Sequence, residues 1–266
     1  MDNRPIGVFD SGVGGMTVLK ELIRELPNED FVYLGDTKRF PYGSKSKESI
    51  IELTKNGIEF LIHKGVKLVV IACGTATSQA LEEVKNLYDI PIIGVINPTV
   101  EYIKQTDKRQ IGVIATAGTI RSKGWEKAIL QEVESAEVQS IACPLLAPMV
   151  EEGWYDNKVA ELAVQEYLKS FKDIDAIILG CTHYPLLTRI IKKQVGKNVE
   201  IVNIGEHVAK KVKSVLNVKN ELNENEKQKI DTYLTETECK FNDVASKLLG
   251  MDVKAKQVKE EIEFLS

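Results

Sequence analysis

The chain has 266 residues, of which 43% are hydrophobic and 28% charged, a composition that excludes a disordered chain and suffices for one large or two medium cores. Its formal net charge of -4, with no long basic block, excludes a surface built to attract phosphate backbones, so no nucleic-acid partner is expected. The N-terminus leads into a strand-like run without an apolar h-region and no apolar stretch reaches membrane-spanning length, so the chain reads as cytoplasmic with no membrane partner.

In chain order, short Val- and Ile-rich runs predict strands over 6–9, 31–35, 68–72, 92–95, 111–115, 137–141, 176–179 and 201–203. Stretches of helical period predict helices over 15–26, 47–64, 78–87, 120–131, 158–171, 185–195 and 207–216. This alternation is the pattern of βαβ units, an α/β fold with parallel sheets covered on both faces. The polar segment 219–229 predicts a loop or helix end. A further strand over 230–235 and a helix over 236–249 are too little for a third domain and must dock on something already present.

The chain repeats itself once. Ile6-Gly7-Val8-Phe9 resembles Ile111-Gly112-Val113-Ile114, and a cysteine at a strand end follows each glycine, Cys73 after 66 positions and Cys181 after 69. Parallel strands end where ligands bind, so the two cysteines are expected to face one cleft. A thiol whose neighbours favour its thiolate is a nucleophile or a base. All four cysteines, Cys73, Cys143, Cys181 and Cys239, are scattered as reduced thiols would be, without Cys-x-x-Cys or other metal-ligand spacing. Cys143, followed by Pro144, reads as packing, and Cys239 as incidental.

Three further segments carry chemistry. Asp10-Ser-Gly-Val-Gly-Gly15 opens a helix where glycines let backbone N–H groups approach an anion. It lacks the spacing of a nucleotide motif, and Asp10 suits an ammonium group, a shared proton or a helix cap. Gly35-Asp-Thr-Lys-Arg-Phe-Pro-Tyr-Gly43 is a loop after a strand, placed to line a site or only to shape a turn. In Cys181-Thr-His183, an imidazole two residues from a thiol can bond it or, when protonated, favour its thiolate. One of Glu151 and Glu152 is placed to reach the cleft, unless both simply begin a solvated helix.

Asp10-Ser-Gly-Val-Gly-Gly15, Gly35-Asp-Thr, Pro41-Tyr-Gly43, Ala72-Cys-Gly-Thr75, Ala115-Thr-Ala-Gly-Thr119, Cys143-Pro, Glu151-Glu-Gly153 and Gly180-Cys-Thr-His-Tyr-Pro185 together resemble the glutamate racemases of the cofactor-independent aspartate/glutamate racemase superfamily. The resemblance implies two pseudo-symmetric α/β domains, 1–97 plus 208–266 and 98–207, with the active site between them and the tail packed on the first. It implies interconversion of L- and D-glutamate for peptidoglycan, by a homodimer, with no cofactor and no metal. Cys73 and Cys181 match the two bases, Asp10 the assistant of Cys73, and His183 with Glu152 the assistants of Cys181. Ser11, Pro41, Tyr42, Gly43, Gly74, Thr75, Thr116, Thr119 and Thr182, with Asp10 and His183, match substrate-holding positions.

At Gly74 the chain departs from the family, which carries asparagine there. On this reading one charge-assisted hydrogen bond is lost, a cost of about 1.5–3 kcal/mol, and restoring asparagine is expected to raise glutamate turnover. A relative acting on another amino acid or dicarboxylate, or a former racemase kept for a binding role, are the alternatives. Racemisation itself requires removal of the α-proton on one face and delivery on the other. Two thiols, one ionised and one protonated, meet that need. With no pyridoxal or metal signature, the carbanion must be stabilised by fixed donors, for which threonines 75, 116 and 182 and the backbone of 12–15 are suited.

Overall fold

Apolar runs bounded by turn residues form the strands of the computed structural model, which describes residues 2–224, 227–237 and 240–258. Cys239 lies outside the described residues. The first half runs β1 (Ile6–Asp10), α1 (Met16–Glu25), β2 (Phe31–Gly35), α2 (Lys47–His63), β3 (Leu68–Ile71), α3 (Gly74–Val84), β4 (Ile92–Gly94) and α4 (Ile96–Lys104). The second runs β5 (Gln110–Ala115), α5 (Ala117–Ser122), α6 (Gly124–Glu132), β6 (Glu137–Ala142), α7 (Leu146–Glu151), α8 (Lys158–Leu168), β7 (Ala176–Leu179), α9 (Thr188–Val195) and β8 (Glu200–Val202). After α10 (Ile204–Val218), the tail adds β9 (Ile230–Leu234), α11 (Phe241–Leu249) and β10 (Lys256–Gln257).

Two sheets result, in the order β10-β9-β2-β1-β3-β4 and β6-β5-β7-β8, and all their pairings are parallel. Both place their first strand between their second and third, so each has its switch point, and hence its crevice, beside that first strand. The tail strand β9 lies along β2, with Leu34 opposite Tyr233. Alternate strand residues serve opposite faces, as the pleat requires. Ile6 and Val8 pack with Leu19 and Val212 of α1 and α10, while Phe9, Val69 and Ile71 pack with Ile58 and Leu61 of α2. The first of these clusters continues through Val100 of α4 to Val113 and Ile178 of the second sheet, joining the two domains by one apolar core.

Several helices depart from the periodicity reading. The helix expected from 78 begins at Gly74, because Cys73 caps it, its Sγ accepting from Ala76 N at 3.5 Å. The helix expected over 120–131 is two helices, broken at Lys123, whose φ of 56° is left-handed. Helices α4 and α7 were hidden by Pro98 and Pro148. Both prolines lie in the first turn, where the missing N–H has no partner to lose.

At the end of the first sheet away from the cysteines, Lys67 is wholly buried. Its Nζ meets Glu29 Oε2 and donates to the carbonyls of Asp2 and Glu221, each at 2.7 Å. Glu29 Oε1 in turn accepts from Asn223 N at 2.8 Å. One buried charge pair therefore ties the N-terminus and the segment after α10 to the sheet. Lys67→Met, which strands Glu29, is expected to cost about 3–5 kcal/mol in denaturant unfolding, and the double variant with Glu29→Met to cost less than that single change.

Candidate active site

The duplication is one of register. Gly7 of β1 pairs with Val69 of β3, and Gly112 of β5 with Ile177 of β7. Each cysteine lies four residues beyond the partner of its glycine, so the unequal sequence distances lead to equivalent strand ends. There Cys73 and Cys181, both buried, line one small cavity between the sheets.

On the Cys73 side, the thiol lies 3.7 Å from Ser11 Oγ and receives Ala76 N at 3.5 Å. Burial pushes it up to about 12, and the nearby Asp10 carboxylate adds to the shift. The protein surroundings of Cys73 therefore do not favour its thiolate, contrary to the expectation from sequence; a positive charge placed beside the sulfur would offset that cost. Asp10, fully buried at the end of β1, is itself pushed up to about 6 by that burial. Its Oδ2 accepts from Gly12 N and Gly15 N, each at 3.0 Å, and its Oδ1 from Thr182 Oγ1 at 3.2 Å. Thus the anion held by the glycine loop is the loop's own aspartate. Val13 N donates to Glu151 Oε1 at 3.2 Å, so N–H groups of 12, 13 and 15 are already engaged by protein carboxylates.

On the Cys181 side, Sγ lies 3.7 Å from His183 Nδ1, and His183 Nε2 lies 2.5 Å from Glu151 Oε1. Burial opposes a charge on this imidazole, but Glu151 and Cys181 outweigh it and hold His183 well above its ordinary value. A buried imidazolium thus faces the Cys181 sulfur, backed by a partly exposed carboxylate. Glu152 is the correction here. Its side chain is 65% exposed and reaches Lys240, because α7 ends as Ala147-Pro-Met-Val-Glu151. Glu151 lies one turn after Ala147, which lines the cavity, and Glu152 is rotated off that face.

Ser11, Pro41, Tyr42, Gly43, Gly74, Thr75, Thr116, Thr182 and His183 also line the cavity. Thr75, Thr116 and Thr119 form a closed ring of hydroxyls at 2.9, 3.1 and 2.9 Å, drawn from both domains. The Tyr42 hydroxyl is engaged elsewhere, donating to Asp36 Oδ2 at 2.5 Å while Arg39 and Thr235 hold Oδ1. Tyr42 therefore offers the cavity its ring and backbone. Sequence reasoning missed Phe40, whose ring lies 5.5 Å from that of His183, and Ala147; neither has a reactive group to betray it. Cys143 is buried beneath Tyr184, whose hydroxyl donates to its carbonyl at 2.8 Å, and is not among the lining residues. Among the described residues, no group of three or more His, Cys, Asp or Glu side chains is placed to hold a metal ion, and no helix is long and apolar enough to cross a membrane.

The profile of the Asp/Glu/hydantoin racemase family matches residues 9–212. A glutamate racemase of Lactococcus lactis (strain MG1363) is 44% identical over 255 residues, covering 94% of each chain. One of Geobacter metallireducens is 46% identical over 216 residues, 80% of each. Among solved structures, a glutamate racemase isoform of Bacillus anthracis superposes with a TM-score of 0.93 at 39% identity, over 97% of this chain and 98% of that one. A Francisella tularensis glutamate racemase in complex with D-glutamate gives 0.91 at 37% identity, over 98% and 99%. With its two parallel sheets and its paired thiols, this chain belongs to the Asp/Glu/hydantoin racemase family.

Proposed function

We propose that the chain interconverts L- and D-glutamate by proton transfer between Cα and the thiols of Cys73 and Cys181. The observation that carries this reading is that two cysteines ending equivalent strands line a single cavity. The relatives named glutamate racemase supply the substrate. In one direction a thiolate removes the α-proton, and the electron pair left at Cα spreads into the α-carboxylate. The opposite thiol delivers its proton to the other face and is left as thiolate. No electron leaves the substrate, and the two sulfurs have exchanged protonation states.

Each half of the site has a distinct role in this scheme. Cys73 stands beside the buried Asp10 carboxylate, which raises it further, so the substrate ammonium is the charge that lets it ionise. At Cys181 the protein supplies its own cation, His183 held by Glu151. Gly74 and Thr75 at the start of α3 line the cavity, and the threonine hydroxyls complete a cradle for the carboxylates. Supply of D-glutamate for peptidoglycan, cytoplasmic location and homodimeric assembly belong to the same proposal. Exposed Leu145, Trp154, Val159 and Leu162 near α7 and α8 are consistent with a covered face.

Replacement of either sulfur should remove one face of the reaction. Cys73→Ser and Cys181→Ser are each expected to lose racemisation by about a hundredfold or more, while the native enzyme in deuterated water acquires deuterium at Cα; full activity in either variant contradicts the scheme.

Glu151→Gln tests the imidazolium. His183 loses its charge as pH rises through its folded-state value, which Glu151 holds high. Removing that carboxylate should move the alkaline limb of kcat/KM to lower pH by about one unit or more. Glu152→Gln should leave the pH profile in place.

A further inference from the structure

Tyr33 lies wholly buried in β2, paired with Val8 of β1, and its side chain reaches up under the glycine loop. Its ring packs against Phe241 of α11 with centroids 6.3 Å apart, and its hydroxyl donates to the Gly12 carbonyl at 2.6 Å. Burial, with Asp10 and Glu151 adding, pushes this phenol well above its ordinary value. Tyr33 is therefore a neutral donor at any working pH.

The Gly12 carbonyl and the Val13 N–H belong to one planar peptide unit. Its oxygen is held by Tyr33, while its N–H donates at 3.2 Å to Glu151 Oε1 on the other domain. That same Oε1 lies 2.5 Å from His183 Nε2, and His183 Nδ1 lies 3.7 Å from Cys181 Sγ. A line of contacts thus runs from the core of the first domain, through a single amide, to the sulfur of the second. Hydrogen bonds at the two ends of an amide polarise each other, so the Tyr33 hydroxyl strengthens the N–H that meets the carboxylate.

The groups flanking this peptide are held independently. Gly12 N donates to Asp10 Oδ2 at 3.0 Å, and the Val13 carbonyl accepts from Met16 N at 3.1 Å. The plane between them is fixed by Tyr33 at one end and Glu151 at the other, and Gly12 has no side chain to resist its turning. Without the Tyr33 hydroxyl the buried oxygen loses its partner, and turning to find another carries the Val13 N–H away from Glu151. Glu151 Oε1 then has one donor fewer, and its side chain, 16% exposed, has water as the alternative. The ionisable groups facing His183 are Glu151 of α7, Cys181 of its own loop and Asp10 of β1. Asp10 is fixed separately by Gly12 N, Gly15 N and Thr182, so it is the Glu151 contact that runs through the peptide Tyr33 holds.

We infer that Tyr33 is a positioning residue for the Cys181 half of the site: by holding the Gly12–Val13 peptide it keeps Glu151 against His183, and so maintains the imidazolium that faces the sulfur. A buried side chain of the first domain thereby supports the charge of the second. The inference rests on the racemase reading for its kinetic consequence only.

The test follows the imidazoles of the full chain by isotope-labelled histidine NMR against pH. There are three histidines, His63, His183 and His207, and His183→Asn identifies the His183 signals. His183 gives up its charge as pH rises through a value that Glu151 holds high, so loosening Glu151 lowers that midpoint. Tyr33→Phe keeps the ring against Phe241 and removes the hydroxyl. Its His183 midpoint should fall by about half a unit, in the direction of Glu151→Gln and short of it. At neutral pH the low-field proton shared by His183 Nε2 and Glu151 should move upfield. In the double variant the midpoint should fall no further than in Glu151→Gln alone, because both changes act on one contact. The alkaline limb of kcat/KM should follow in the same order. A native midpoint and native low-field proton in Tyr33→Phe, shifts that add in the double variant, or equal movement at His63 and His207 would overturn the inference, and a limb that stays while the midpoint falls would overturn its kinetic part. If the native protein does not racemise glutamate, the functional reading fails while the histidine signals still decide the positioning.

Discussion

The structure depends on a close approach between the carboxyl ends of two parallel sheets. Each sheet ends its third strand with a cysteine, and the cysteines share a cavity only because the loops that follow can touch. At Gly12, Gly14, Gly43 and Gly74 the chain runs so close to the opposite loops that an added Cβ would lie 2.6 Å or less from an atom across the seam. The same closeness lets Thr17 of α1 donate to the Thr182 carbonyl, and Asp10 accept from the Thr182 hydroxyl, across 165 and 172 residues of chain. The site is therefore a seam between domains, and its geometry is only as exact as their closure.

Closure determines the electrostatics. Excluding water raises the cost of every charge in the seam, which explains why Asp10 and the Cys73 thiol are both pushed upward. His183 escapes that penalty because Glu151 lies against it. Glu151 also accepts from Val13 N, so this carboxylate, the imidazole and the glycine loop are one connected unit. Opening the seam would separate Val13 from Glu151 and Thr182 from Asp10 together, so charge placement and domain position are coupled.

Much of this was legible in the residues. Strand-end cysteines, the Ile-Gly-Val repeat and the alternation of runs gave the two sheets and the two thiols, because a buried parallel strand must be apolar on both faces. The tail strand over 230–235 was legible for the same reason, though its place beside β2 was not. What failed was of three physical kinds. Prolines in first turns concealed α4 and α7, since proline is read as a breaker when its position within a helix is unknown. The choice between Glu151 and Glu152 turned on 100° of helical rotation in a six-residue helix too short for its period to be visible. The Cys73 environment depends on desolvation, which exists only after both sheets have closed on it.

The two halves are related in register but not in chemistry, and under the proposed racemisation that inequality has a reason. A glutamate carries one ammonium beside its reacting carbon, so it can compensate charge on only one of two opposed sulfurs at close range. A site with duplicated surroundings would leave the second sulfur without a cation. Here the second domain carries its own, in the His183 and Glu151 pair, while the first offers the Asp10 carboxylate, to which an ammonium is drawn. Duplication thus supplies the opposed thiols, and divergence after it supplies the one cation the substrate cannot bring twice.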